Sequence, residues 1–129
     1  IGFPHHKYGG QGNEIVDFIT MDSKGVLKCY EIKVTLQDLK SKAKKSWYGN
    51  YNYLVVSREL YNVICNNIND YIPKNVGVIV GDRLEIIKKA KRENIDNEIE
   101  NMLKESIIRS MYFKMYKYKR ICNKYIKKQ

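Results

Sequence analysis

Two acidic residues and a lysine lie inside segments whose other residues are typical of buried strands. Asp17 stands in the run 14–19 (EIVDFI), and Glu31 and Lys33 stand in the run 29–34 (CYEIKV). A charge inside a strand is costly to desolvate unless another group pairs with it or coordinates it. Carboxylates are ligands that hard divalent cations prefer, so this pattern predicts a metal site.

The connection between the two runs predicts how these residues face one another. The loop 23–25 (SKG) suits a type I turn that ends with Gly25 in the left-handed region. Counting back along both strands then sets Asp17 opposite Glu31, with Cβ atoms about 4.5–5.5 Å apart. Lys33 shares their face, because strands repeat every two residues. The alternative is a surface hairpin whose acids pair with lysines.

The spacing of these residues resembles that of the PD-(D/E)xK nuclease superfamily, in which an Asp is followed, after a hairpin, by Glu-x-Lys. Within that superfamily the chain is similar to the MmcB-like DNA repair endonucleases over roughly residues 10–90. The matching segments are 30–35 (YEIKVT), Asp38-Leu39, Lys45-x-Trp47-Tyr48, 53–56 (YLVV), 72–73 (IP) and 76–80 (VGVIV).

The resemblance implies a fold, a cofactor and a substrate class. The fold would be a restriction-endonuclease-like α/β core, with a mixed β-sheet flanked by helices. The cofactor would be Mg²⁺ or Mn²⁺, held by Asp17, Glu31 and the Ile32 carbonyl, and the substrate would be a nucleic acid. Lys33 would position or activate the attacking water and offset charge on the phosphate.

A helix is predicted directly after the second strand. Thr35 and Asp38 resemble a capping box that opens a helix. One apolar stripe then runs along it through Leu36, Leu39, Ala43 and Trp47. The polar residues have two readings, a solvated face or a substrate-binding face. In the second reading, Gln37 orients water or a phosphate, and Lys42 and Lys45 contact DNA.

The rest of the core reads as alternating strands and helices. A strand–helix–strand succession predicts a right-handed parallel crossover. The predicted elements are a strand at 51–57, a helix at 58–65, a polar loop at 66–70, a strand at 75–80 and an edge strand at 84–87.

Composition limits the class of protein. With 129 residues, of which 43% are hydrophobic, the chain can bury the core of one domain. It has no 18-residue apolar run and no signal-peptide pattern, so no membrane association is expected. The three cysteines fit no zinc spacing and indicate reduced thiols in the cytoplasm.

The net charge of +10 favours a polyanionic partner. We expect residues 1–94 to form the nuclease-like core and residues 95–129 a basic C-terminal helical extension packed on it. From Arg109 onward the extension has eight basic residues and no acidic residue. It is either a cap packed through its aromatic rings or a phosphate-tracking helix. The candidate contacts with nucleic acid are Lys117, Arg120, Lys124 and Lys128.

The N-terminal residues add weaker candidates. Some superfamily members complete the metal site with a glutamate on a helix before the hairpin, and Glu14 is a candidate for that role. Glu14 and Asp17 are nevertheless an odd number of residues apart, which places them on opposite faces of the strand. His5 and His6 are either accessory metal or phosphate contacts or part of a mobile terminal segment. Because the chain begins at Ile1 rather than Met, we expect it to be a fragment, a processed form or an ordered subset of a longer protein.

Three functions remain open at this point. The leading hypothesis is a metal-dependent endodeoxyribonuclease of DNA repair, recombination or mobile-element type. The alternatives are a non-catalytic nucleic-acid-binding module with the same fold, and a ribonuclease. A homodimer stays open, since a branched DNA substrate would favour a resolvase-like pair of subunits.

Overall fold

The computed structural model describes residues 17–41 and 47–128, with side chains as far as Lys124. The described residues confirm an α/β fold with a mixed sheet and helices. The elements in chain order are β1 (Phe18–Met21), β2 (Leu27–Lys33), α1 (Leu36–Lys40), β3 (Tyr51–Val56), α2 (Arg58–Ile64), a 3-10 helix (Cys65–Asp70), β4 (Gly77–Val80), β5 (Glu85–Lys88) and α3 (Asn97–Lys128).

The five strands lie in the order β1-β2-β3-β4-β5. The two outer pairs are antiparallel, and the two inner pairs, β2–β3 and β3–β4, are parallel. α1 connects the first parallel pair, and α2 with the 3-10 helix connects the second. The parallel pairing predicted around α2 is therefore confirmed. Both helices begin at the edge of the sheet where β2 and β3 end.

The β1–β2 hairpin has the predicted three-residue turn. The Asp22 amide donates to the Val26 carbonyl at 3.1 Å, and the Gly25 amide donates to the Asp22 carbonyl at 3.0 Å. Gly25 has a φ of 82°, the left-handed conformation that glycine adopts without a steric penalty. The turn fixes the register, in which Phe18 lies opposite Tyr30.

α1 begins where the sequence predicts and ends earlier. The Thr35 hydroxyl accepts a hydrogen bond from the Asp38 amide at 3.1 Å, so Thr35 is the N-cap. The helix was predicted over 36–47, but the chain leaves the helical conformation at Ser41, where ψ is 151°. Serine favours such exits because its side chain competes for backbone hydrogen bonds. Trp47 still packs, half-buried, against the main core.

Two clusters of buried side chains lie on the same face of the sheet. The larger cluster joins β3 and β4 to α1 and α2, and it contains Leu39, Leu54, Val56, Leu60, Ile64, Ile72, Val76, Val78 and Val80. The smaller cluster joins β2 to α3, and it contains Leu27, Cys29 and Leu103. Strand pairing and the period of two place Leu54 on the same side as Cys29. We call this side the helix-covered face.

The other face, which we call the open face, is lined by aromatic and aliphatic side chains. Tyr30 and Tyr53 stack there with ring centroids 5.8 Å apart, and Tyr30 also contacts Phe18. Phe18 is 58% exposed and Ile32 is 52% exposed. The predicted sheet flanked by helices therefore has its described helices packed on one side.

Three further boundaries differ from the prediction. The polar segment 65–70 forms a 3-10 helix rather than a loop. β4 begins at Gly77 rather than at residue 75, because the Asn75 carbonyl accepts from the Lys91 amide outside the sheet. β5 begins after Leu84, whose φ of 53° ends the turn.

α3 has two halves with different surroundings. Its first half packs against the smaller cluster through Leu103, with Ile99, Met102 and Ile107 partly buried beside it. Every described side chain from Ser110 to Lys124 is exposed. The extension thus packs on the domain through its first half.

Candidate metal centre and nucleic-acid surface

The predicted pairing of the two acids is consistent with the hairpin register. The register Phe18↔Tyr30, extended by one residue, sets Asp17 opposite Glu31. The Asp17 Oδ2 atom accepts a hydrogen bond from the Ile32 amide at 2.8 Å, which holds this carboxylate against β2. A carboxylate has about four acceptor positions on its two oxygens, so this bond leaves capacity for a further partner.

Glu31 is a buried acid on the helix-covered face. It is 7% exposed, and its β3 partner Leu54 is fully buried. Two residues earlier, burial raises the pKa of the Cys29 thiol to about 12, and the negative charge of Glu31 adds to that shift. Cys29 is therefore a protonated core residue at neutral pH.

Lys33 and α1 lie next to the two acids along the chain. Lys33 is half-buried at the end of β2, on the same strand face as Glu31, and its β3 partner is Val56. α1 begins three residues later. Gln37, in its first turn, is exposed and borders an open depression together with Leu36, Lys40 and Ser41.

The donor atoms suit a hard cation. Asp17 and Glu31 supply carboxylate oxygens, and Ile32 lies between Glu31 and Lys33 in the sequence. Within residues 17–41 and 47–128, no group of three or more His, Cys, Asp or Glu side chains could hold a metal ion. A pair of carboxylates is nevertheless the set that Mg²⁺ commonly uses, with water and substrate phosphate completing its coordination.

Several predicted site residues lie outside the description. Lys42 and Lys45 fall between the two described ranges. Glu14, His5 and His6 precede the first described residue, Asp17. Lys117, Arg120 and Lys124 are exposed on the second half of α3, and Lys128 lies in its last turn with its side chain outside the described set.

Sequence reasoning missed two buried asparagines that position the start of β3. The Asn50 side chain accepts from the Leu27 amide at 2.9 Å, and the Asn52 side chain accepts from the Gly49 amide at 2.8 Å. Asn52 is 1% exposed, although asparagine in a strand usually indicates an exposed position. The Asn50 bond connects the residue before β3 to the amino end of β2, and the Asn52 bond closes the turn that leads into β3.

Comparison with known proteins informs the fold. No protein-family model matches the chain, and no curated protein matches it significantly. A solved structure, described as "SPO1766 protein of unknown function from Silicibacter pomeroyi", is similar to this chain with a TM-score of 0.60. The two are 18% identical, and the similarity covers 78% of this chain and 67% of that chain. The likeness extends to the fold alone and supports a mixed α/β architecture.

A membrane-spanning role has no candidate segment in this structure. Across the described ranges, no helix has both the length and the apolar character needed to cross a bilayer.

Proposed function

We propose that this protein is a metal-dependent nuclease that hydrolyses phosphodiester bonds in DNA, with a restriction-endonuclease-like fold. The observation that carries the proposal is the set of Asp17, Glu31 and Lys33 at one end of a hairpin, where the Asp17 carboxylate accepts from the Ile32 amide beside Glu31. The resemblance to MmcB-like endonucleases supports the same function. DNA repair, recombination and mobile-element processes would all use such an enzyme.

The buried position of Glu31 favours a functional site over a surface hairpin. Asp17 is exposed, whereas Glu31 is only 7% exposed, and its strand partner Leu54 is fully buried. Opposed acids destabilise a hairpin in the absence of a compensating charge. Mg²⁺ or Mn²⁺ held by Asp17, Glu31 and the Ile32 carbonyl would compensate them. When bound, such an ion polarises the phosphoryl oxygen and lowers the pKa of water.

The neighbouring polar residues have roles that follow from their positions. Lys33 would orient the attacking water and balance the negative charge that develops on the phosphate, an electrostatic effect that is large in a partly buried site. Gln37, exposed in the first turn of α1, would hold the water or a phosphate oxygen by its amide. Neither role requires a histidine base.

The second half of α3 supplies a surface for the DNA backbone. Lys117, Arg120, Lys124 and Lys128 follow one another at intervals of three, four and four residues, which places them along one side of the helix. We call them the basic stripe. Phosphate contacts of this type give affinity without base specificity. Lys42 and Lys45 would extend the surface beside the site.

One observation favours the second candidate, a non-catalytic nucleic-acid-binding module. The exposed basic half of α3 could bind nucleic acid by itself, and it needs no opposed acids. The buried acid at Glu31 has no role in that alternative, which is why we rank it second.

A cleavage assay with Mg²⁺ or Mn²⁺ separates these functions. Duplex DNA, branched DNA, single-stranded DNA and RNA would be incubated with the protein, with and without a chelator. We expect cleavage of DNA that the chelator abolishes. Lys33→Ala should lower the cleavage rate by roughly 10²-fold or more, while DNA affinity changes only a few fold. Lys28→Ala is the matched control, because Lys28 is on the same strand but on the open face, near the Tyr51 ring.

Salt dependence tests the basic stripe separately from catalysis. Replacing its four residues by Gln should flatten the slope of log affinity against log salt by about 2–4 units, since each duplex phosphate contact contributes about 0.9. A control would replace four exposed lysines of the body, namely Lys24, Lys74, Lys89 and Lys91. Metal-dependent cleavage that survives in Lys33→Ala would reject the catalytic assignment. DNA binding without cleavage by the unaltered chain would favour the binding module.

A further inference from the structure

The second half of α3 exposes an unusual amount of apolar surface. Between residues 108 and 121, eight large hydrophobic side chains are each 52–71% exposed: Ile108, Met111, Tyr112, Phe113, Met115, Tyr116, Tyr118 and Ile121. They lie on several sides of the helix, and exposed apolar surface of this extent marks interaction sites. The proposed nuclease function uses the basic stripe and leaves this surface without a role.

A helix with these surroundings also needs a partner for its stability. α3 is 32 residues long, and its last buried side chain is Leu103. The segment from residue 108 to its end therefore extends by roughly 30 Å at 1.5 Å per residue with no described core contact. Most helical stability in proteins comes from packing an apolar face, so a partner on this segment would stabilise it.

The spacing of the exposed apolar residues indicates another helix as that partner. Four of them, with the exposed Cys122, recur at intervals of three, four, three and four residues: Ile108, Met111, Met115, Tyr118 and Cys122. We call this row the α3 seam. All five side chains are exposed, and the alternation of three and four is the seam spacing of helices that wind around each other. Tyr125 continues the same interval in the sequence.

The basic stripe lies away from the seam, and Lys119 flanks the seam at roughly 60° from its centre. At about 100° per residue, the centre of the basic stripe is roughly 155° around the helix axis from the centre of the seam. Two seams can therefore meet while both basic stripes stay in solvent. Methionine and tyrosine, which supply most of the seam, are enriched in protein–protein interfaces. A membrane-binding helix more typically carries Trp, Phe and Leu on its apolar face.

We infer that the α3 seam binds the same seam of a second copy of this chain and forms a homodimer. The four large side chains of the seam are each more than half exposed, and with Cys122 they offer roughly 500 Å² per copy and roughly 1,000 Å² per pair. That area is at the lower end for a specific interface, so we expect a weak dimer. This inference rests on α3 alone and does not depend on the nuclease function.

Sedimentation of the full chain under reducing conditions tests the dimer, with reductant present so that the exposed Cys122 cannot crosslink copies. We expect a monomer–dimer equilibrium that Met115→Lys weakens by about tenfold or more, because a charge then enters the seam. Phe113→Lys is the matched control, since Phe113 is 54% exposed on the side of the basic stripe. It should change the equilibrium by less than about threefold. Circular dichroism should show that both variants keep their helix content.

Salt gives a second readout that distinguishes this partner from others. The seam joins two strongly basic segments, so raising salt from about 0.1 M to about 1 M should strengthen the dimer by screening their repulsion. If α3 instead binds DNA or phosphatidylserine vesicles, that binding should weaken as salt is raised over the same range, because salt screens the attraction between opposite charges.

Three results would overturn the homodimer. The first is a monomer at every salt concentration up to about 1 mM protein. The second is an equal loss of association in Met115→Lys and Phe113→Lys. The third is a monomer that binds the vesicles through the seam, shown by loss of vesicle binding in Met115→Lys.

Discussion

β2 presents four residues to the helix-covered face, and its two ends differ. Leu27 and Cys29, at the amino end, are fully buried against Leu103 of α3. Glu31 and Lys33, at the carboxyl end, carry opposite charges on the same face, and Lys33 is half-buried. The difference indicates that apolar packing at the amino end holds the strand in place. The carboxyl end can then include charged residues whose burial does not favour folding.

The carboxyl end should matter for activity more than for stability. Glu31→Gln keeps the shape of the side chain and removes its charge, so we expect cleavage to fall by roughly 10²-fold or more while the fold persists. Cleavage rate and thermal melting are measured on the same preparation. Glu59→Gln, an exposed acid in the first turn of α2, is the control. A variant that cleaves at the normal rate would show that this end of β2 is not a catalytic centre.

The amino end should matter for stability. Leu27→Ala removes a fully buried side chain and should lower the free energy of unfolding by about 2–5 kcal/mol. Ile32→Ala truncates a side chain on the open face that is 52% exposed, and it should cost less than about 1 kcal/mol. Urea unfolding of both variants gives the comparison. Equal losses would mean that the two faces of β2 are packed alike.

The close approach of residue 49 to β2 gives a smaller effect at the same end. A Cβ atom on Gly49 would lie 2.9 Å from the Leu27 carbonyl oxygen and 3.0 Å from the Cys29 sulfur. Gly49→Ala should therefore destabilise the fold by about 1–3 kcal/mol through overpacking. At Gly81 the nearest atom, the Val56 carbonyl oxygen, is 3.4 Å away, so Gly81→Ala is the milder control. A larger loss in the control would contradict this packing.

The buried Cys29 predicts a dependence of stability on pH. Burial raises its pKa in the folded state from 9.0 to about 12, so the folded chain keeps the thiol proton to a higher pH than the unfolded chain does. Its contribution is fully present below about pH 9 and is lost as the pH rises toward 12. The difference in unfolding free energy between the natural chain and Cys29→Ala should therefore shrink above pH 9. A constant difference would mean that the thiol is accessible to solvent in the folded state.

Much of the fold could be predicted from rules that depend only on residues close together in the sequence. A three-residue turn ending in glycine was enough to predict the hairpin register, in which Phe18 lies opposite Tyr30, because a hairpin has few other registers. The Thr35 cap was readable for the same reason, since an N-cap depends on the first turn of its own helix. The parallel crossover through α2 followed from the order of strand, helix and strand.

Features that depend on residues far apart in the sequence could not be predicted from the sequence. Gly49 and Asn52 resemble ordinary loop and strand residues in the sequence, and only the adjacent β2 makes one a close approach and the other a buried hydrogen-bonding group. The helix predicted to reach Trp47 ends at Lys40, and Trp47 meets the core from outside that helix. A row of apolar residues predicts that a residue such as Trp47 is buried. It does not determine whether that residue belongs to a helix, because tertiary contacts can override helix propensity.

The extension shows this division most clearly. Its sequence by itself determined a helix with eight basic residues, no acids and many aromatic rings after residue 108. Whether those rings pack on the domain was decided by the tertiary structure, which buries Leu103 and leaves the side chains from Ser110 to Lys124 exposed. The physical reason is that hydrophobic patterning defines which face of a helix avoids water, whereas the surface that covers this face is set by the position of the helix relative to the rest of the chain.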